Sequence, residues 1–176
     1  WEARRQFVWG GLYLDEVLLF DKDTDADGDC IEDEGNGSTR YLYCVNNNWN
    51  VMALTSSNGT RVEVYNYDPY GATTVLTDAG SGNPFRFQGQ RYDSETGLYY
   101  FKNRYYSATL GRFLQRDPVG YKDGMSLYCA YFAPFGLDPI GLEDTPLWRV
   151  LLQSPLSTLN GDRKSTRLNS SHGIIS

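Results

Sequence analysis

RYDSETGLYYFKNRYYSATLGRFLQRDPVGY, residues Arg91–Tyr121, alternates short aromatic runs with glycine-containing turns. Aromatic side chains suit a pleated, half-buried surface, and glycine supplies the positive φ that tight turns need. The unit read from this stretch is strand, turn, strand. Its closing Asp-Pro-x-Gly, DPVG from Asp117, is followed 21 residues later by a second copy, DPIG, inside LDPIGL (Leu137–Leu142).

The same unit extends outward. QFVWGGLYLDEVLLF (Gln6–Phe20) reads as extended segments around Gly10 and Gly11, and YLYCVNNNWNVMAL (Tyr41–Leu54) as a hairpin turning at Asn46–Asn48. RVEVYNYD from Arg61, PFRFQG from Pro84 and GLYYFKNRYY from Gly97 read as further strands, and SLYCAYF (Ser126–Phe132) as a buried one. Tyr-Asp or Tyr-Tyr followed by a glycine turn recurs from Tyr67, Tyr92 and Tyr105, as in a sheet whose strand pairs bury aromatics only against their neighbours. The predicted fold class is all-β, a repeat-built antiparallel sheet of short strand-turn-strand units. Fourteen Tyr, eight Phe and eighteen Gly in 176 residues agree with it.

Charge and cysteine narrow the function classes. The net charge is −6, and Asp15–Glu34 holds ten acids against the single base Lys22. Such a surface disfavours nucleic acid or an anionic membrane as partner and suits cations. No apolar run approaches the roughly twenty residues of a membrane-spanning helix. The chain opens at Trp1 without Met or a visible signal peptide, so its native start is expected upstream. Cys30, Cys44 and Cys129 lack zinc-ligand spacing, and Cys30 with Cys44 is the candidate disulfide, the alternative being free thiols. Asp162–Ser176 has no aromatics and no strand period, resembles a translated sequencing adapter, and is set aside together with the only histidine, His172.

Asn83–Leu142 carries Phe-x-Gly-x-Arg-Tyr-Asp, Gly-Leu-Tyr-Tyr, Arg-Tyr-Tyr, Gly-Arg-Phe, Arg-Asp-Pro-x-Gly and Asp-Pro-x-Gly-Leu in one order. This run resembles the Rhs repeat-associated core, the end of an Rhs or YD-repeat shell. WNVMAL, EVYNYDPYG and VWGGLYLDEV resemble the preceding repeats. The expected organisation is repeats over 1–82, core over 83–142, the start of a variable region over 143–161, and the adapter-like tail over 162–176. The sequence departs from the family at Ser107 and Ala108, where Asp-Pro is usual. Its 17 residues between Gly120 and Asp138, where 18 are common, match a shorter, planctomycete-like form. The resemblance implies a hollow shell enclosing a variable C-terminal polypeptide, often a toxin. It implies as partners the upstream repeats and that cargo, and as location the cell surface or outside.

Two chemistries are candidates. Relatives with the Asp-Pro-x-Gly-Leu motif cut themselves after its Leu, which here implies the Leu142–Glu143 bond. Asp117 and Asp138 would act as a carboxylate pair that activates water and protonates the leaving group, with Arg116 fixing its neighbour. The alternative is that both are structural turns, Asp capping and Pro presetting φ. Second, DTDADGDCIEDE (Asp23–Glu34) matches the calcium-loop pattern D-x-D-x-D-G-x5-E. Asp23, Asp25, Asp27 and Glu34 would give carboxylates and Asp29 a backbone carbonyl to a structural Ca²⁺ between two strands; a solvated acidic loop is the alternative. No organic cofactor is expected. Three functions therefore stand: a shell fragment that encloses or presents cargo, the same fold acting once as an aspartyl self-cleaving protease, and an adhesion or carbohydrate-binding module displaying Trp1, Trp9 and Trp49.

Overall fold

The computed structural model describes residues 5–24, 30, 38–78, 80–122, 124–133, 136–142 and 145–146. The acidic positions Asp25, Asp27, Asp29 and Glu34, Trp1, Glu143, and the whole of 147–176, His172 included, lie outside the described residues.

Strands β1 (Arg5–Trp9), β2 (Val17–Asp23), β3 (Ser38–Val45), β4 (Val51–Ser56), β5 (Arg61–Tyr67) and β6 (Thr73–Thr77) form one antiparallel sheet in chain order. β7 (Arg91–Asp93), β8 (Leu98–Phe101), β9 (Arg104–Ser107) and β10 (Arg112–Phe113) form a second meander. A short pair, β11 (Gly136–Leu137) with β12 (Thr145–Pro146), brackets the second Asp-Pro turn. Within each sheet every strand returns directly beside its predecessor, which is what tight turns between aromatic runs dictate.

Alternation explains the two cores. On β5, Glu63 and Tyr65 face inward, and on β8 Tyr99 and Phe101 do so while Tyr100 between them is exposed. On β4 the strict period fails: Cys44 pairs with Ala53 but Val45 with Val51, so Met52 is a bulge residue and Val51 and Leu54 both point inward. Phe20, Tyr41, Val51, Leu54 and Tyr65 make the first core. Phe87, Tyr99, Phe101, Tyr106, Phe113 and Phe132 lead the second. Tyrosine hydroxyls tie the parts together: Tyr99 donates to Gly71 O at 3.0 Å, Tyr106 to Tyr70 O at 2.8 Å and Tyr67 to Val51 O at 2.6 Å. Each buries a ring while satisfying its polar tip.

Two expected strands are absent. In PFRFQG, Phe85 makes a single bridge to Arg91, and Phe87–Gly89 is a 3₁₀ turn. Asn83 takes both the N–H and the C=O of Phe85, and Asn50 Oδ1 accepts the Gln88 N–H at 2.9 Å, so side chains satisfy the backbone instead of a ladder. SLYCAYF is a run of turns with one bridge, Arg112 to Cys129. Its carbonyls at Leu127 and Tyr128 accept from Asp117 N and Phe113 N, while Leu127, Ala130 and Phe132 fill the core at unequal spacing. The candidate disulfide is also corrected: Cys30 is a buried thiol and Cys44 an exposed one. Trp9 packs edge-on against Phe85 and Trp49 stacks on Tyr13 at 4.9 Å, so both are engaged within the fold. No helix among the described residues is long and apolar enough to cross a membrane.

Candidate active site

Arg104 opens β9 directly opposite Phe101, in the inward register. Its side chain is only 4% exposed, and a buried guanidinium requires partners. Its Nη1 lies 2.8 Å from Asp117 Oδ2 and its Nη2 3.4 Å from Asp138 Oδ2. Its Nε donates to Gly141 O at 2.6 Å, and the guanidinium carbon sits 3.7 Å from the centre of the Phe113 ring. The Nη1 contact is an ion pair that lacks hydrogen-bond direction. The planar fork of arginine can meet several oxygens at once, which a lysine ammonium does less well.

Each carboxylate is fixed by its own turn. Asp117 Oδ1 accepts from Val119 N at 2.9 Å, its C=O accepts from Gly120 N, and its N–H reaches Leu127 O. Asp138 is fully buried; its Oδ1 accepts from Leu142 N at 3.0 Å and its N–H donates to Gln88 Oε1 at 3.3 Å. Asp138 therefore has one oxygen on Leu142 and the other on Arg104. In the sequence the Leu142–Glu143 bond comes next, outside the described residues from Glu143 on.

The structure thus brings Asp117, Asp138 and the Gly141 carbonyl around one cation, with Leu142 held by Asp138. That cation is Arg104, 13 positions before Asp117; the sequence neighbour Arg116 is exposed. The signal for Arg104 was a charge at an inward position of an aromatic strand, within Arg-Tyr-Tyr. Of the candidate calcium ligands only Asp23 is described; it ends β2 opposite Ser38, which begins β3.

The Teneurin YD-shell family model matches residues 20–126. YlbH of Escherichia coli (strain K12) is 38% identical over 97 residues, covering 53% of this chain and 40% of YlbH. The tRNA(Glu)-specific nuclease WapA of Bacillus subtilis subsp. natto (strain BEST195) is 41% identical over 90 residues, 50% of this chain and 4% of WapA. In the Photorhabdus luminescens Tc holotoxin pore, a chain matches with a TM-score of 0.63 and 26% identity over 80% of this chain and 6% of its own. The chain spans less than half the length of these relatives. With its antiparallel strand-turn units and this match across most of them, the chain belongs to the Teneurin YD-shell family, the Rhs or YD-repeat shells.

Proposed function

We propose that the complete protein is an exported shell that encloses or presents a variable C-terminal polypeptide, and that the region from Arg104 to Leu142 cuts the chain once, after Leu142. One observation carries the cleavage reading: Asp117 and Asp138 share the buried Arg104, and Asp138 also holds the N–H of Leu142. The shell reading is supported by the places where similar sequence recurs, as a small part of WapA, named for a nuclease, and of a chain in a Tc holotoxin.

In the proposed reaction one carboxylate takes a proton from water as the water oxygen bonds to the carbonyl carbon of Leu142. The other, carrying a proton, donates to the carbonyl oxygen. As the C–N bond breaks, a proton passes to the nitrogen of Glu143, leaving a carboxyl group on Leu142 and an amine on Glu143. Arg104 keeps the remaining negative charge balanced within a water-poor site. Tethering supplies the substrate at high effective concentration. The acidic loop 23–34 is proposed as a structural Ca²⁺ site in the same shell.

A structural role is the second reading, because each carboxylate also holds a backbone N–H of its own turn. Intact-mass measurement of the full-length protein separates them. The cleavage reading expects a fragment beginning at Glu143 in the wild type and none in folded Asp117→Asn or Asp138→Asn. A folded wild-type shell that stays whole leaves only the structural role.

A further inference from the structure

Lys102, Asn103 and Arg104 are consecutive, as are Pro139, Ile140 and Gly141. Lys102 Nζ donates to Pro139 O at 2.7 Å, Asn103 Nδ2 to Ile140 O at 2.7 Å, and Arg104 Nε to Gly141 O at 2.6 Å. Three successive side chains thus hold three successive carbonyls of the segment that leads from Asp138 to Leu142. These carbonyls lie outside any strand ladder, and backbone acceptors removed from water need such partners.

Lys102 is the least ordinary of the three. It has a φ of +59°, a conformation that costs a residue with a Cβ and persists only where its surroundings impose it. Its ammonium is ion-paired to Asp15 and lies 3.4 Å from Gln90 Oε1. Asp15 belongs to the loop between β1 and β2, 87 residues earlier, and is itself buried. Its second oxygen accepts from Gln90 Nε2 at 2.6 Å. Burial pushes the Asp15 carboxyl up, and Lys102 opposes that rise. The loop packs against bare backbone: Gly89 has a φ of +69°, and a Cβ there would lie 2.5 Å from Asp15 O. Tyr13 of the same loop is buried, and Gln90 Nε2, which holds Asp15, also lies 3.4 Å from Pro139 O. The loop therefore borders the segment that Asp138 begins.

We propose that Lys102, held by Asp15, is a positioning residue for cleavage after Leu142, so that docking of the β1–β2 loop licenses the cut. The proposal rests on the self-cleavage reading above. With the loop undocked, Lys102 has no counter-charge, the Pro139 carbonyl loses its main donor, and the approach to Leu142 is free to shift. A displacement of about 1 Å at a reacting group can slow a reaction on the order of 100-fold.

The test follows the cut in the complete protein, pulse-labelled during cell-free synthesis, beside its thermal midpoint. Lys102→Met is expected to slow cleavage about 100-fold, and Lys102→Arg, which keeps charge and donors, to remain within about tenfold of wild type. Asp15→Asn/Lys102→Met removes the buried unpaired charge, so it is expected to regain the midpoint lost in Lys102→Met without regaining the rate. Wild-type speed in Lys102→Met, or recovery of rate together with midpoint in the double variant, overturns the proposal while leaving self-cleavage intact. An uncut wild type removes the self-cleavage reading and this proposal with it.

Discussion

The guanidinium of Arg104 lies over the face of Phe113, 3.7 Å from its centre, so the cation that gathers Asp117 and Asp138 rests on an aromatic floor. The ring excludes water from one side of the ion pairs and attracts the charge electrostatically. Arg104→Met should therefore strand two buried carboxylates and cost about 3–5 kcal/mol in urea unfolding. Arg116→Met should stay within about 0.5 kcal/mol, since that side chain is exposed. Equal losses at the two positions would contradict the assignment of Arg104 as the shared partner.

Gly141→Ala probes the turn after Asp138. Gly141 has a φ of +69°, and an added Cβ would sit 2.5 Å from Phe101 O. A loss of about 1–3 kcal/mol is expected from strain alone, with cleavage after Leu142 slowed as the segment moves off Arg104. The paired readout is the urea midpoint and the cut fraction; a variant unchanged in both would show the close approach to be dispensable.

Glu63→Ala tests a polar tie inside the first core. Glu63 accepts the Ser81 N–H at 2.8 Å and the Tyr65 hydroxyl, and Asn83 Nδ2 donates to that hydroxyl at 3.2 Å. Truncation leaves the buried Ser81 N–H without its acceptor and disturbs the Tyr65 hydroxyl, at about 1–3 kcal/mol for each group left unsatisfied. Stability within 0.5 kcal/mol or so of wild type would mean the pocket rearranges or admits water.

Alkali should unfold the protein in a tyrosine-dependent way. Burial pushes the phenols of Tyr13, Tyr65, Tyr99 and Tyr106 far above their ordinary value of 10.0. Below that value the phenols are neutral in both states. Above it the unfolded chain releases protons that the folded chain retains, so stability falls as pH rises, by about 1.4 kcal/mol per unit for each such tyrosine. Phenolate absorbance from these rings should appear together with loss of β-sheet circular dichroism. Their full ionisation with the sheet intact would refute the burial argument.

Calcium should raise the thermal midpoint, and chelation should reverse it. Occupancy at a hundred times the dissociation constant contributes about 2.7 kcal/mol. Asp25→Asn/Asp27→Asn should abolish the shift. A midpoint indifferent to calcium would leave 23–34 as a solvated acidic loop.

Most strands could be read in the sequence because aromatic alternation and glycine turns are local signals, and they locate β1 and β3–β5 closely; the run from Gly97 to Tyr106 is instead broken into β8 and β9 by a turn at Lys102–Asn103, which no glycine or proline marks. The 3₁₀ turn at Phe87–Gly89 and the turns of Ser126–Phe132 could not, because side-chain and backbone partners remote in sequence, Asn50 for Gln88 and Phe113 for Tyr128, decide them. The two Asp-Pro turns were visible as a repeat. Their common cation was not, because adjacency suggested Arg116 while strand register turns Arg104 inward. Asp15 and Lys102 carried no signal, since nothing local links residues 87 positions apart.

The one-to-one match of Lys102, Asn103 and Arg104 with Pro139, Ile140 and Gly141 fixes two triplets against each other without itself setting how many residues, here 34, lie between them. A residue lost or gained within either triplet would throw all three bonds out of step. One lost from the turns between them is absorbed, as the shortened spacing between Gly120 and Asp138 already illustrates. The match works as a vernier: it measures alignment at its ends and is indifferent to the length of chain that joins them.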